Sequence, residues 1–327
     1  MRVFLTGATG YIGRVLARRL VEEGHEVRAL VRATSRAENV ETLARLGVAT
    51  FAGDVGERAS MREGMSGSDW VIHAAAELDP AAPPERMRAA NVQGSDNVAS
   101  LAWKLGVGRF LSVSSIAYFG GSPEDGSPAG ETAPPRKPFP SVYSATKHAG
   151  ERAIREYASR GLAINSVYPG LVYGPPGKRG GSNLLLRQLI RGRLPALVAP
   201  ERKTSWVFLE DVAEAVLLVM RQAPPGRDYL LAGEVATLRE VVAQVCALAA
   251  VRPPRLALPL GAARLLLAAA VPFYRLRGRR PPIPPAQLAS LRRHWAFDDS
   301  RARRELGWQP RGLAQGLPST IEYLRAA

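Results

Sequence analysis

The chain has 327 residues, of which 46% are hydrophobic and 22% are charged. This composition is typical of a globular protein and argues against a largely disordered chain. The length suits one large α/β domain with an appended lobe, or two domains. The net charge of +15 favours anionic ligands, but the basic residues are mostly arginines spread along the whole chain. Nucleic-acid-binding proteins more often cluster basic and aromatic residues, so we expect no nucleic-acid partner.

The single cysteine and the first residues bear on the cellular compartment. Cys246 lies among Val241, Val242 and Val245, which predicts a buried core residue and no disulfide framework. The first residues form a strand pattern that leads directly into glycines, without the apolar run and cleavage site of a signal peptide. We therefore expect a cytoplasmic protein.

The first half of the chain alternates β-branched runs with helical patterns. Predicted strands are Arg2–Thr6, Glu26–Val31, Val48–Ala52, Trp70–His73, Arg109–Val113 and Ala163–Tyr168. Predicted helices run from the first glycines to Glu23, then over Asn39–Leu46, Glu85–Leu105 and Val142–Ser159. This alternation predicts right-handed βαβ crossovers and an α/β fold with a doubly wound parallel sheet of the Rossmann type.

Three glycines between the first strand and the first helix predict a dinucleotide site. Gly7, Gly10 and Gly13 allow a tight turn and a close approach of the backbone to a pyrophosphate at the helix N-terminus. Such glycines alone are a weak signal, but here a strand precedes them and a helix follows, as the motif requires. Within this loop we also expect Thr9, Tyr11 and Ile12 to contact the cofactor.

The end of the second predicted strand indicates which cofactor is bound. An acidic residue there would bind the ribose hydroxyls of NAD, whereas this chain has Arg32, with Arg36 close behind. Guanidinium groups suit the 2′-phosphate of NADP, so we expect NADP(H) rather than NAD(H). Asp54 and Val55 follow the third strand and are expected near the adenine.

Tyr143 and Lys147 form the predicted catalytic pair. Their spacing of four residues puts both side chains on one face of a predicted helix. A neighbouring ammonium or a cationic nicotinamide ring favours the phenolate, so we expect a lowered pKa for Tyr143. A serine at the end of the fifth strand would orient a carbonyl, and we choose Ser115 over Ser114 for that role.

Six motifs in order resemble the extended short-chain dehydrogenase/reductases, the epimerase/dehydratase superfamily. They begin at Gly7, His73, Asn91, Ser114, Tyr143 and Tyr168, and the resemblance extends to the C-terminal segment around Trp308. It implies that Tyr143 exchanges the substrate proton, that Lys147 holds the nicotinamide ribose, and that Ser115 binds the carbonyl. It also implies that Ala74, Ala75 and Ala76 line the cofactor and that Pro169 backs the nicotinamide.

The branch of that superfamily is less sharply marked by the sequence, and one favoured branch and two alternatives stay open. Nucleotide-sugar enzymes usually place an arginine where this chain has Thr204, beside Lys203. The chain looks more like the dihydroflavonol reductases and 3β-hydroxysteroid dehydrogenases, which implies ketone and alcohol interconversion on bulky, mostly apolar substrates. The alternatives are an NAD-dependent sugar or nucleotide-sugar epimerase or dehydratase and, more remotely, a non-catalytic NADP sensor or RNA-binding protein.

The pattern changes after Pro169, and we assign residues 1–174, joined by 203–222, to an NAD(P)-binding Rossmann domain. Residues 175–202 and 223–327 are assigned to a substrate-binding lobe. Within that lobe, Leu256–Tyr274 is apolar but interrupted by prolines and an arginine, and is too short to span a bilayer. It is expected to line the substrate lobe or to contact a membrane surface, helped by the arginines from Arg275 to Arg280. We expect a homodimer or a monomer.

Overall fold

A seven-stranded parallel sheet forms the centre of the computed structural model, which describes residues 1–177, 182–277 and 285–326. Its strands are β1 (Arg2–Thr6), β2 (Glu26–Val31), β3 (Ala49–Ala52), β4 (Trp70–His73), β5 (Arg109–Val113), β6 (Ile164–Pro169) and β10 (Tyr229–Leu231). They are arranged in the order β10-β6-β5-β4-β1-β2-β3. The predicted doubly wound parallel sheet is confirmed. The six predicted strands are present, and β10 is a seventh that its three residues did not reveal.

Helices cover both faces of this sheet, which explains why its inner strands are buried almost throughout. The helices of this half are α1 (Tyr11–Glu22), α2 (Ala37–Arg45), α3 (Arg62–Met65), α4 (Pro84–Arg88), α5 (Gly94–Lys104), α6 (Val142–Arg155) and α8 (Leu209–Gln222). One face carries α1 and α8, packed on each other, and the opposite face carries α5 and α6. The 203–222 segment thus returns to the sheet through α8.

Most of the remaining elements build a second layer with its own apolar core. The strands are β7 (Leu171–Tyr173), β8 (Ala196–Val198), β9 (Lys203–Phe208), β11 (Glu234–Thr237) and β12 (Leu256–Leu258). The helices are α7 (Asn183–Ile190), α9 (Leu238–Ala249), α10 (Leu260–Leu276), α11 (Pro285–Ser290), α12 (Ser300–Leu306) and α13 (Leu313–Ala326). Helices α7, α9 and α13 share a core that includes the buried Cys246, whereas α12 packs against α8 and against β10 of the main sheet. Strand β10 lies in the main sheet, although it falls within residues 223–327, which we assigned to the substrate-binding lobe. The division into two domains remains a prediction.

The apolar stretch Leu256–Tyr274 forms two elements. Its first residues pair as β12 with β8, and its remainder belongs to α10. One side of α10 packs through Ala263 against Val198 and Leu288, whereas Leu265 and Leu266 are exposed. Within the described ranges, no helix combines the length and the apolar character needed to cross a membrane. Arg279 and Arg280, which belong to the predicted basic cluster, lie outside the described residues.

A π-helical turn joins α4 to α5 and packs against α6, the helix that carries Tyr143. This turn, Ala89–Gln93, interrupts what the sequence suggests is one continuous helix. The side chain of Asn91 donates to the Thr146 hydroxyl (3.1 Å), and its backbone carbonyl accepts from the Ser95 hydroxyl (2.8 Å). Gly150 of α6 packs directly on that carbonyl, since a Cβ there would lie 2.0 Å from the oxygen. Helix α6 and the π-helical turn are therefore in direct backbone contact.

We expect Gly150→Ala to destabilise the fold, because the added methyl group overlaps the Asn91 carbonyl and must push the helices apart. Overpacking of this kind costs about 1–3 kcal/mol. The measurement is the free energy of unfolding from urea titrations. Gly261→Ala in α10 is the matched control, because nothing lies within 4 Å of a Cβ there. Equal stability losses in the two variants would contradict the close approach.

Candidate active site

The glycine loop has the geometry that a dinucleotide site requires. Gly7 has a φ of +76°, and a Cβ on it would lie 2.6 Å from the Ala74 backbone. A Cβ on Gly13 would lie 2.0 Å from the Gly7 carbonyl oxygen. No side chain caps the N-terminus of α1 at Gly10, and no acidic residue lies in its first turn. The exposed helix N-terminus therefore fits an anionic pyrophosphate.

The loop after β2 lies against this glycine loop. Asn39 donates to the Thr9 carbonyl (3.1 Å), and the hydroxyls of Thr9 and Ser35 are 3.4 Å apart. Arg32 and Arg36 extend from this loop and are both exposed. Among the described residues, Arg32 has no ion-pair partner and Arg36 has only Glu38 at 3.6 Å. These guanidinium groups are therefore free to meet a phosphate beside the loop.

Other predicted cofactor contacts have clear structural roles. The Asp54 carboxylate accepts from the Gly56 amide (2.8 Å), which forms a turn after β3 rather than a helix cap. The buried Val55 packs against Gly94 at the start of α5. The Tyr11 hydroxyl donates to the Gly174 carbonyl (2.6 Å) and ties α1 to the segment after β7. Burial raises the pKa of Tyr11, so it stays protonated.

At the end of β4, His73 is a packed and fully hydrogen-bonded side chain. Its Nδ1 lies 2.8 Å from the Thr6 hydroxyl and its Nε2 lies 3.0 Å from the Ser95 hydroxyl. Burial, with a smaller contribution from the Lys147 charge, lowers the pKa of His73 to about 3. The half-buried Ala74, Ala75 and Ala76 continue from this strand end, beside the glycine loop.

Ser115 and Tyr143 lie together at the carboxyl end of the sheet. Ser115 begins the short 3₁₀ turn Ile116–Phe119, and its Oγ accepts from the Ala117 amide (3.1 Å). That bond leaves the Ser115 hydroxyl proton free to be donated, and the hydroxyl lies within hydrogen-bonding reach of Tyr143. The neighbouring Ser114 is buried, and its hydroxyl has no partner in the described part of the chain. The structure thus brings Ser115, and not Ser114, to Tyr143.

A buried carboxylate fixes the helix that carries Tyr143 and Lys147. Four and eight residues beyond Tyr143, the same face of α6 presents Lys147 and Glu151. Glu151 accepts a hydrogen bond from Ser112 of β5 (2.9 Å) and another from Ser166 of β6. It also pairs with Arg155 at 3.3 Å. These bonds set both the height and the rotation of α6 above the sheet.

The electrostatics of the pair differ from the expectation based on sequence. We expected a lowered pKa for Tyr143, but burial raises it to about 12, and the Ser115 hydrogen bond only partly opposes that effect. Burial also lowers the pKa of Lys147, and the charge of Glu151 opposes it. Desolvation exceeds the effect of the Ser115 hydrogen bond, so Tyr143 is held as a phenol that is able to donate a proton.

Sequence reasoning missed the residues that position this site. Asn91 and Glu151 are buried and link α6 to α5 and to the sheet, and Ser141 caps α6 by accepting from the Ser144 amide (3.1 Å). Asn91 lies within a motif noted above, and Glu151 continues the four-residue spacing of Tyr143 and Lys147. Both signals are present, but neither indicates its contacts. Pro169 ends β6 in a buried position opposite Leu231.

His73 is expected to make stability fall in acid. The folded pKa is about 3, whereas the unfolded imidazole titrates near 6.5, so between these values only the unfolded chain takes up the proton. Its contribution is therefore complete above pH 6.5 and declines toward pH 3. Between pH 7 and pH 5 this loss is about 2 kcal/mol. Urea titrations at both pH values should show a smaller loss for His73→Asn. His25→Asn is the comparison: burial also lowers the pKa of this half-buried histidine, but less than that of His73, so this variant should change the pH dependence less. An unchanged pH dependence in His73→Asn would contradict the assignment.

Comparisons with known proteins agree with this geometry. A sequence model described as the NAD dependent epimerase/dehydratase family matches residues 3–232. A 4-hydroxy-2-methyl-3-oxo-4-farnesyl-3,4-dihydroquinoline-1-oxide ketoreductase of Stigmatella aurantiaca is 30% identical, over 95% of this chain and 92% of its own. A putative dihydroflavonol 4-reductase of Synechocystis sp. is 27% identical, over 98% and 94%.

Similarity in three dimensions covers nearly the whole chain. The crystal structure of gox2253 superposes with a TM-score of 0.85 at 29% identity, over 99% of this chain and 98% of that one. The resemblance to the dihydroflavonol reductase branch is confirmed by the sequence relative of that name, which matches nearly the whole chain. The chain belongs to the NAD dependent epimerase/dehydratase family and is an NAD(P)-dependent oxidoreductase of the extended short-chain dehydrogenase/reductase type, acting on a small molecule.

Proposed function

We propose that this enzyme uses NADP(H) to interconvert a ketone and a secondary alcohol on a bulky, mostly apolar substrate. The observation that carries the proposal is the hydrogen bond between Ser115, at the end of the sheet, and Tyr143. Tyr143 lies on the helix that also carries Lys147. A protonated phenol beside a serine hydroxyl suits the reduction of a carbonyl.

The substrate class is supported by two independent lines. The Stigmatella relative is named for a farnesylated ketone, which is both bulky and apolar. In this chain, Thr204 of β9 occupies the position at which nucleotide-sugar enzymes usually carry an arginine. A sugar or nucleotide-sugar epimerase remains the second candidate because the family's own description includes that chemistry.

In the proposed mechanism, Ser115 donates a hydrogen bond to the substrate carbonyl oxygen. Its own Oγ accepts from the Ala117 amide, which leaves the hydroxyl proton to be donated. Tyr143 donates its proton to the same oxygen as negative charge develops there, and takes the proton back in the reverse direction. A nicotinamide held at this site would supply the hydride to the carbonyl carbon, or accept it in the reverse direction. The added charge on the oxygen is then neutralised by the phenol proton.

Lys147 has two proposed tasks. Its ammonium holds the ribose hydroxyls of the cofactor and stabilises the Tyr143 phenolate once the proton has left. Glu151 keeps that ammonium charged against the effect of burial. Gly7, Gly10 and Gly13 would accommodate the pyrophosphate, with the neighbouring Thr9, Tyr11 and Ile12 beside it.

Further contacts complete the proposed cofactor site. Ala74, Ala75 and Ala76 would line the cofactor, Asp54 and Val55 would lie near the adenine, and Pro169 would back the nicotinamide. We also propose that the enzyme acts in the cytoplasm as a monomer or homodimer. Contact of Leu256–Tyr274 with a membrane surface remains a hypothesis.

Tyr143→Phe tests the proton transfer. The variant should bind NADPH as the wild type does but reduce hydrophobic ketones about 10²–10⁴-fold more slowly, because the proton donor is lost. NADPH oxidation and cofactor fluorescence measure the two properties. Tyr157→Phe is the control, since the Tyr157 hydroxyl binds Asp96 (2.9 Å) away from the site. Full turnover by Tyr143→Phe would refute the mechanism.

Arg32→Asp tests the cofactor preference. We expect the wild type to bind NADPH more tightly than NADH, and the variant to lose about tenfold in NADPH affinity, since one charge-assisted hydrogen bond is removed. Fluorescence titrations with both cofactors measure this. Arg45→Asp, at an exposed arginine of α2, controls for net charge. A wild type that prefers NADH would overturn the NADP(H) assignment and favour the epimerase candidate.

A further inference from the structure

An arginine-lined cavity lies next to the loop that follows Ser115. Its volume is about 330 Å³, and it is bordered by Arg136, Arg202, Arg292 and Arg293, together with Glu124 and His294. The guanidinium groups come from three distant parts of the sequence, so no local pattern reveals the cluster. None of the residues proposed to bind the cofactor lines this cavity.

The positive charge of this cavity is poorly compensated. Within the described ranges, Arg202 and Arg292 form no ion pair with a carboxylate, and Arg136 meets only the highly exposed Glu124, at 3.2 Å. Burial and the nearby charges of Arg136 and Arg292 lower the pKa of Arg293, which indicates crowding of like charges. Four guanidinium groups around a cavity with one exposed carboxylate leave an excess of positive charge, which suits an anion.

The histidine of this cavity does not supply a further charge. Its Nε2 lies 2.7 Å from the Arg202 guanidinium, and burial together with the charge of Arg202 lowers the pKa of His294. The ring is thus neutral and lies against the Arg202 guanidinium. Arg293 is engaged differently, because it donates to the carbonyls of Arg136 (2.7 Å), Pro138 (2.6 Å) and Gly120. Arg202 and Arg292 are therefore the groups left for a ligand.

The cavity wall is linked along the chain to Ser115. Gly120 ends the 3₁₀ turn that Ser115 begins, and Ser122 in the cavity wall follows two residues later. The Ser122 amide donates to the His294 carbonyl (2.8 Å), which joins this loop to the C-terminal segment. The loop that begins at Ser115 thus also contributes to the cavity wall.

A neighbouring cavity is largely apolar. Its volume is about 390 Å³, and it is bordered by Arg264 and Arg292 and otherwise lined by Leu267, Ala268, Val271, Leu288 and Ala289 from α10 and α11. A third cavity of about 270 Å³ shares Arg202, Leu260 and His294 with the arginine-lined one. The three cavities therefore adjoin one another, with guanidinium groups at one end and the aliphatic face of α10 at the other. The sequence contains no acidic residue between Glu240 and Asp298, the segment that includes α10 and α11.

We propose that these cavities bind an anionic amphiphile, with its carboxylate or phosphate between Arg202 and Arg292 and its alkyl chain along α10. This inference rests on the proposed function, because it specifies that the bulky apolar ketone carries a negatively charged group. Arg136 adds to the positive potential at the charged end. The apolar wall binds the chain by excluding water from it.

Calorimetric titration of the wild type tests the cavity directly. Decanoate and decyl phosphate are the probes, 2-decanone lacks the charge, and acetate and inorganic phosphate lack the chain. We expect at least one charged amphiphile to bind, and the comparison of the two identifies the head group. Arg202→Gln and Arg292→Gln should each weaken that binding about tenfold, whereas Arg304→Gln, at an exposed arginine outside the cavities, should not. Equal binding of 2-decanone, or unchanged affinity in both arginine variants, would overturn the proposal.

A kinetic comparison separates this inference from the proposed function. The substrates are 3-oxodecanoate and its methyl ester, which present the same ketone with and without the charge. Arg202→Gln should raise KM about tenfold for the acid and leave the ester unchanged, with kcat unaffected. Arginine-dependent amphiphile binding without turnover of either ketone would support the cavity site but count against the reductase. Turnover of both ketones with equal KM in wild type and variant would support the reductase and overturn the cavity site.

Discussion

The position of the reactive side chains depends on one buried carboxylate. Glu151 accepts hydrogen bonds from Ser112 and Ser166 on adjacent strands and pairs with Arg155 on its own helix. Without Glu151 the two buried serine hydroxyls would lose their acceptor, which typically costs about 1–3 kcal/mol for each group, whereas Arg155 would keep its ion pair with Asp228. Since Lys147 and Tyr143 lie on the same face one and two turns away, any shift of Glu151 would be transmitted to them. The negative charge of Glu151 also opposes the lowering of the Lys147 pKa by burial.

Close backbone contacts complete this arrangement from the other side. Gly150 rests on the Asn91 carbonyl, and Gly7 and Gly13 approach each other and Ala74 at the first turn of α1. In both places a side chain would separate elements that must touch. The helix with Tyr143 is therefore held between a polar anchor in the sheet and a glycine contact with the π-helical turn. Such anchoring fixes the distance to Ser115, on which the proposed proton transfer depends.

The fold and the position of the site followed from the sequence wherever the pattern was local. Alternating apolar runs revealed six strands, and the spacing of Tyr143 and Lys147 placed them on one helical face. The three-residue strand β10 lacks enough residues to show a period. The raised pKa of Tyr143 was missed because burial depends on the assembled structure, not on the neighbouring residues. The arginine-lined cavity was missed for a related reason, because Arg136, Arg202 and Arg292 come together only through tertiary packing.

The late strand β10 has a consequence for how the sheet is completed. It pairs in parallel with β6 after about sixty intervening residues, and Asn165 of β6 binds the carbonyls of Pro224 and Arg227 just before it (both 2.7 Å). Until this segment has been synthesised, β6 is an unprotected edge whose amide and carbonyl groups are open to pairing with another chain. A nascent or truncated chain that ends before residue 229 therefore exposes a surface prone to aggregation, next to the serines that bind Glu151. Protection of this edge of the nucleotide-binding sheet thus depends on a strand that the chain supplies only after most of its other elements.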